Sequence, residues 1–534
     1  MLNTITTRLE RLRGDERGFA MIPVIVALTI SSLLMVAAVA AATGDLPIAR
    51  KSQDRKAALE AAQAGLNYYQ YHLNLDPDYW TKCDSVPDPN PSDANDNSPV
   101  SMAGANPRRW RNVQGTTSAY AIELIPAPGK TCVVGDQTSM LSNGQFKLRV
   151  TGRANGKYRT LLATFRRAGF LDFVYLTNYE TLDPDADTAS GSTVAVCSQV
   201  RSLRPSACST ISFRTGDQLK GPVHTNDESI AVCGSPAFGR SGQTPKDRVD
   251  VNTTSGSGWF YNGSGCGSGP PTFATNSGSL GINGGTISFP DQNDELATTA
   301  ANGGLVFLGK TSMTFSGNSV SVTNSKLTPT TKTYDLSSGF NGVIYVKDDP
   351  SSACTTYDRP TVASYGMQTQ CAEATVNGTY STSVTIASQR DIIVKPLSSA
   401  NNGVERSVGS TATLGLIANG FVRVYHPVTR TSGGCTNLGY VGDVQIDAAI
   451  LSLQHSFIND NHDCGGHLGT LTVNGGIAQN FRGTVGLVDG TGYTKDYNYD
   501  DRLKYRNPPY FLAPLNAAWS VARENELVPA KSGA

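Results

Sequence analysis

The sequence predicts a mainly β protein with a long N-terminal α-helix: a small α+β unit followed by an irregular parallel β-helix or solenoid, with a β-sandwich as the alternative. Three observations predict it. A single apolar run of about 24 residues begins at Phe19 and leads into an amphipathic stretch. From Phe170 to about residue 500, short apolar segments alternate with Gly, Asn and Ser turns, and no amphipathic helix stands out. Only 16% of residues are charged while glycine reaches 54 of 534, a composition that fits an extracellular β protein better than a cytosolic enzyme. The length exceeds one ordinary core, so at least two folded units are expected.

Residues 1–18 read as a charged leader and 19–42 as a transmembrane helix, since roughly 20 apolar residues cross a bilayer. The run is too long for the apolar core of an ordinary secretory signal, and Gly18 lies before it rather than after it. Arg17-Gly18-Phe19-Ala20-Met21-Ile22-Pro23, followed by this run, resembles the class III signal of type IV pilins and pseudopilins. The resemblance implies processing between Gly18 and Phe19 by a prepilin-type peptidase. It also implies a helix kept on the mature chain, in the membrane or packed among other pilin-like subunits.

Residues 43–75 extend that helix. Leu59, Ala62, Leu66, Tyr69 and Leu73 recur at spacings of three and four, an apolar stripe. Ala57-Ala-Leu-Glu-Ala-Ala-Gln-Ala-Gly-Leu66 is similar to the segment that carries a pilin's membrane helix into its head. Gly44 and Pro47 are expected to kink or interrupt the helix between the two parts. One position departs from the family: the fifth residue after the junction is usually Glu and here is Pro23. Proline suits a first helical turn but brings no carboxylate to a neighbouring subunit. The departure points to a minor, initiating or tip component, or to a membrane protein that never assembles, rather than to a bulk subunit.

Charge near the apolar run does not orient it, because Arg8, Arg11, Arg13 and Arg17 precede it while Arg50, Lys51, Arg55 and Lys56 follow. The cysteines do. All ten lie after the run and fall into successive local pairs: Cys83 with Cys132, Cys197 with Cys208, Cys233 with Cys266, Cys354 with Cys371, and Cys435 with Cys464. Sequential pairing is the simplest of many connectivities, and it requires an oxidising compartment. The expected topology is therefore single-pass in the cytoplasmic membrane, leader inside and residues after 43 outside, at the cell surface or on a pilus. Lysine plus arginine balance aspartate plus glutamate at 44 each, which removes a general electrostatic case for nucleic acid.

Residues 76–168 open with a Pro/Asp/Asn/Ser-rich loop, Asp84 to Pro99, then show alternating segments joined across Asn155-Gly156, a hairpin signal. They are expected to form a small pilin-like α+β head. Residues 169–490 are expected as the β-helix-like ectodomain, because several strands are apolar on successive residues, and 491–534 as a C-terminal tail. Phe170-Leu-Asp-Phe-Val-Tyr-Leu-Thr-Asn-Tyr-Glu, Gly221-Pro-Val-His-Thr-Asn-Asp, Cys233-Gly-Ser-Pro-Ala-Phe-Gly, Gly469-Thr-Leu-Thr-Val-Asn-Gly-Gly and Tyr499-Asp-Asp-Arg-Leu-Lys-Tyr-Arg-Asn-Pro-Pro-Tyr-Phe resemble a group of bacterial envelope proteins that pair a pilin-type N-terminus with such a region. The nearest group with a known role is the minor pilins that start or tip type IV pili.

No G-x-S-x-G elbow, P-loop, H-E-x-x-H or dinucleotide fingerprint is present, so the expected role is structural and non-enzymatic, with no cofactor. Two alternatives stand: a surface adhesin that binds a glycan or protein ligand, and a polysaccharide-active enzyme whose carboxylates are scattered along a β-helix. The metal candidates are His455, His462, Asp463 and His467, three histidines and a carboxylate within 13 residues at a spacing that matches no established motif. Against them stands a polar loop with Cys464 taken by Cys435. His224, Asn226, Asp227 and Glu228 are an oxygen-rich turn able to hold Ca²⁺, or a turn explained by its own backbone hydrogen bonds.

Overall fold

The computed structural model describes residues 21–76, 78–85, 98–104, 109–135, 140, 145–167, 169–187, 191–267, 269–354, 368–431, 434–515 and 519–528; of residues 40–48 and 167 it describes the backbone alone. Strands hold 38% of the chain and helix 17%, so the protein is mainly β with an N-terminal helix. That helix, α1 (Met21–Leu75), is continuous for 55 residues. The interruption expected at Gly44 and Pro47 is not found. A proline inside a helix forfeits one backbone hydrogen bond, and a helix this long carries that loss.

The C-terminal part of α1 packs on an antiparallel sheet. β3 (Ala119–Ile125), β4 (Gln145–Ala154) and β5 (Lys157–Arg167) form its centre, with β1 (Val100–Met102) pairing parallel to β3 and β2 (Arg111–Asn112) antiparallel to it. The β4–β5 hairpin turns through Asn155 and Gly156, both at positive φ, as a two-residue loop matching strand twist requires. Ala58, Ala62, Leu66, Tyr69 and Leu73 are buried against this sheet. The approach is close: a Cβ on Gly152 of β4 would lie 2.0 Å from the Ala58 carbonyl oxygen. The far edge of the sheet is Trp519–Leu527, antiparallel to β5. Trp519 enters the aromatic core, 4.8 Å from Phe146, which itself stacks on Phe165 at 5.2 Å. The head is thus closed by a strand more than 350 residues downstream of β5. A disulfide between Cys83 and Cys132 joins the segment after α1 to the one after β3.

Between β5 and that closing strand lies a stack of mostly parallel strands with three runs of pairing, extended at one end by Thr311–Gly317, Ser319–Asn324 and Thr331–Asp335, which pair antiparallel with one another. In the first, Leu305–Leu308, Val343–Lys347, Val384–Ser388, Leu414–Ala418, Ala449–Ser452, residues 476–479, Tyr175–Leu182, Val223–Thr225 and Val249–Val251 follow one another. The second includes Asp391–Val394, Val422–Val424 and Phe457–Asn459, and resumes at Phe213–Arg214, Ile230–Cys233 and Trp259–Tyr261. The third passes from Gly403–Arg406 through Val444–Ile446, residues 471–473, Gly492–Tyr499, Gln218–Lys220 and Ala237–Phe238 to Thr272–Phe273. The stretch 491–534, expected as a tail, therefore supplies one strand to the stack and one to the head.

Spatial order is not chain order. From Val249–Val251 the chain runs back through residues 282–302 to the opposite end, then returns strand by strand until it meets Tyr175–Leu182. The returning segment is held by Asn226 Nδ2 to the Ile287 carbonyl (2.7 Å), Asn293 Nδ2 to the Ser388 carbonyl (2.9 Å) and the Tyr345 hydroxyl to Asn293 Oδ1 (3.0 Å). A second strap, around Pro508–Leu515, crosses the same face, where the Leu515 N–H donates to the Ser288 carbonyl. These straps explain the successive apolar residues. Ile344, Ile386, Leu416, Ile450 and Ile477 point into the central core, whereas Val343, Tyr345, Ala387, Ile417, Leu451 and Ala478 point outward and are buried with Leu296, Leu512, Phe289 and Phe511. Both faces of this sheet are covered, so both parities of its strands are apolar.

Candidate functional site

Gly18, Phe19 and the leader lie outside the described residues. From Met21 to Val39 the helix is long and apolar enough to cross a membrane, and none of it is buried by the rest of the chain. No charged side chain occurs in this span. Its polar side chains turn inward: Thr29 donates to the Val26 carbonyl (2.9 Å), Ser31 to Ala27 (2.7 Å) and Ser32 to Leu28 (2.7 Å). Every hydroxyl is thereby satisfied by its own helix, which an apolar surrounding demands. Pro23 sits within this span and brings no carboxylate.

Where α1 leaves the apolar span, an open groove of about 670 Å³ lies between the helix and two head loops. Arg50, Asp54 and Glu60 line one wall, and Val113, Thr116 and Asn155 the other. Asn155 Nδ2 donates to Asp54 Oδ1 at 2.8 Å, tying the β4–β5 turn to the helix. The groove holds mixed charges and no convergent acid–base pair.

The metal candidates do not converge. His455 Nδ1 lies 3.2 Å from Asp183 Oδ1, and its ring stacks on Phe421 at 4.5 Å. Burial pushes the His455 pKa down, but the nearby carboxylates of Asp183, Asp185 and Asp391 outweigh it and hold the imidazole above its ordinary value. His462 is buried, and burial holds its pKa below the ordinary value. Asp463 is taken by Arg430 (3.0 Å), and exposed His467 reaches Thr494 (3.2 Å). Short sequence spacing failed as a guide because the chain passes through a strand, a left-handed turn at Asn461 and the next strand, sending the four side chains to different partners. Among the described residues no group of three His, Cys, Asp or Glu side chains is placed to hold a metal ion.

The oxygen-rich turn is a buried knot. His224 Nδ1 lies 2.6 Å from Asp250 Oδ1, and Nε2 3.1 Å from Asn226 Oδ1. Asp227 accepts from the backbone N–H groups of Glu180 (2.9 Å) and Arg201 (2.8 Å) and pairs with Arg204. Glu228 accepts from Ser202. These oxygens stitch neighbouring strands and loops together.

All ten cysteines are bonded in the sequential pattern, and no free cysteine remains. Cys83 is joined to Cys132 in the head, with Cα atoms 5.9 Å apart. In the stack Cys197 is joined to Cys208 at 5.7 Å, Cys233 to Cys266 at 4.3 Å, Cys354 to Cys371 at 5.1 Å and Cys435 to Cys464 at 5.7 Å. None of these sulfurs is left to ligate a metal or to act as a nucleophile. Cys197 and Cys208 pack with Phe481, and Cys371 is fully buried where the strand Glu373–Tyr380 begins. Their part is to staple loops to neighbouring strands.

Sequence reasoning missed the charges inside the stack. Arg423 is buried among Glu373 (3.4 Å), Asp391 (3.0 Å) and Asp460 (3.2 Å). Arg482 pairs with Glu180 at 3.0 Å and lies over the Phe213 ring, and Lys495 pairs with Asp217 at 2.9 Å. Burial lowers the Lys495 pKa while Asp217 opposes the shift. Partners separated by up to about 300 residues leave no local signal.

No protein-family model matches this chain, and no curated protein matches it. Among solved structures, the competence-associated pilin ComZ from Thermus thermophilus aligns at a TM-score of 0.31 and 11% identity, over 90% of this chain and 98% of that one. A likeness of that size carries no argument about fold or function.

Proposed function

We propose that this chain is a pilin-like structural protein of the cell envelope, non-enzymatic, anchored by one membrane-crossing helix with head and stack outside the cytoplasm. The observation that carries this reading is the division of α1. Residues Met21–Val39 are wholly uncovered and apolar, while Ala58, Ala62, Leu66, Tyr69 and Leu73 of the same helix are sealed onto an antiparallel sheet. A helix so divided serves an apolar surrounding at one end and a folded head at the other. Five disulfides, all after the apolar span, support an oxidising compartment for everything beyond it. The three parallel runs read as the faces of an irregular β-helix, a reading that parallel pairing favours over a sandwich of antiparallel sheets. Pro23 favours a minor or tip position among other pilin-like subunits over a bulk one. A prepilin-type peptidase, cutting between Gly18 and Phe19, is the expected processing partner.

Mass spectrometry of the mature N-terminus tests the processing step. A chain beginning at Phe19 supports it, and one retaining Met1 overturns it. Sheared filaments containing the protein far below the bulk subunit would support the minor-pilin role. Its absence from normally abundant filaments would leave a lone membrane-held passenger.

A further inference from the structure

One end of the stack is closed by further strands, whereas at the other, among the described residues, two of the three runs end in aromatic rings. At the end beginning with Leu305–Leu308, the antiparallel strands Thr311–Gly317, Ser319–Asn324 and Thr331–Asp335 extend the sheet beyond Glu373–Tyr380, and Met313, Phe315, Val320 and Val322 close the core there. At the opposite end, Trp259–Tyr261 pairs with Ile230–Cys233 and Thr272–Phe273 with Ala237–Phe238, and among the described residues no further paired strand follows in either of these two runs, while in the first run Gly281 bridges Asp250 and Leu280 is buried. Stacked repeats need polar caps at their ends to stay soluble. Here the end turn carries aromatic rings instead.

Register places these rings. Trp259 and Tyr261 lie over Ile230 and Val232, both buried core residues, and Phe273 stacks on Phe238 with centroids 5.3 Å apart. They therefore continue the inward columns of the core, yet each is only half-buried because no described strand lies beyond it. The turn that bears them is fixed to its neighbour by the Cys233–Cys266 disulfide, so the rings are held in place rather than fraying.

The chemistry around them is unusual for this chain. Residues 251–290 contain no Asp, Glu, Lys, Arg or His. At the chain-wide 16% charged content, about six charges would be expected in forty residues. Their place is taken by Ser, Thr, Asn and Gly. Arg201 lies over the Phe260 ring, which belongs to the opposite parity of the strand. Half-exposed rings edged by hydroxyl and amide groups suit a ligand that is itself uncharged, offers C–H faces to the rings and carries many hydroxyls.

We infer that this end, with Trp259, Tyr261 and Phe273 at its centre, is a binding surface for a neutral glycan. The inference rests on the reading that the stack is displayed outside the cytoplasm, but glycan binding is measured on purified protein and the N-terminus by mass, so either can fail alone.

The test uses the full chain in a sugar-free detergent, with cellohexaose, maltohexaose and the hexamer of N-acetylglucosamine as separate probes in calorimetry, and polygalacturonate as the charged control. Saturable binding of at least one neutral hexamer, absent for polygalacturonate, is expected. Trp259→Ala should weaken it about tenfold, equivalent to about 1.4 kcal/mol. Trp259→Phe keeps a ring on Ile230, should melt like the parent protein and should weaken binding about threefold. Two results overturn the inference: no saturable binding of any neutral hexamer, or binding indifferent to both variants. A concentration-dependent pairing of chains by light scattering that Trp259→Ala abolishes would also overturn it, by assigning this end to a second copy.

Discussion

The head and the stack solve the burial problem in opposite ways. The head covers one face of a mostly antiparallel sheet with a helix and fills the space with rings: Tyr69, Trp80, Phe146, Phe165 and Trp519. The stack winds parallel strands around an apolar core, covers one sheet on its outside with two straps, and carries ion pairs between its strands. Local hairpins build the head, but its last strand arrives from the chain terminus. Most stack strands are short, and apart from the hairpin strands Thr311–Gly317, Ser319–Asn324 and Thr331–Asp335 the neighbour of each lies tens of residues away or, at the joint between residues 476–479 and Tyr175–Leu182, about 300. The head is a local structure with one distant closure. The stack is mostly non-local, a topology expected to form more slowly.

The strongest way to break that contrast is to remove the closure. A chain ending before Trp519 loses the edge strand and the ring against Phe146 and Trp80. Truncating a buried tryptophan alone costs about 3–5 kcal/mol. Calorimetry should show the head transition lost and the stack transition kept. Loss of both would mean that head and stack are one cooperative unit.

Arg482→Ala probes the stack. It leaves Glu180 buried without its guanidinium, a situation that costs about 3–5 kcal/mol. Replacing both, Arg482→Met with Glu180→Leu, should recover most of that loss, since the penalty lies in the uncompensated charge. Unfolding in urea measures both. Equal stability of the single and double variants would show that the pair is not what holds Tyr175–Leu182 to the strand containing residues 476–479.

The head has its own point of close approach. Gly152→Ala would drive a methyl into the Ala58 carbonyl, with the Ala62 N–H next at 2.5 Å, both of them backbone atoms that cannot rotate away. Overpacking of this kind costs about 1–3 kcal/mol. The expected result is a lower melting temperature for the head alone, with the stack transition unmoved.

Legibility in the sequence follows the same division. The helix stripe from Leu59 to Leu73, the Asn155-Gly156 turn and the adjacent cysteine pairs are local patterns, and local patterns survive in one sequence. Strand order in the stack is not local. Nothing in Tyr175–Leu182 announces that it sits mid-stack beside residues 476–479, and nothing in 519–527 separates a strand from a tail. The runs apolar on both parities were readable as buried strands. That the outer parity is buried by residues 287–300 and 511–512 required the fold. The histidine cluster fails for a related reason: nearness along the chain is not nearness in space.

The smallest expected effect uses that cluster. His455 and His462, seven residues apart, are perturbed in opposite directions. The folded pKa of His455 is raised by Asp183, Asp185 and Asp391 against the opposing effect of burial. Its contribution to stability is therefore full below the unfolded value of about 6.5 and is lost as pH rises through the folded value. His462 is lowered by burial, with Asp463 opposing and Arg430 assisting. Its contribution is present above about pH 6.5 and is lost as pH falls through the folded value. Between pH 8 and pH 5 the two effects partly cancel in the parent protein. Single variants should separate them. His455→Asn should lose more melting temperature on acidification than the parent, and His462→Gln should lose less. A shift of both in the same direction would show that the carboxylates around His455 do not govern its charge, and would remove the electrostatic account of how Asp183 ties this loop to the stack.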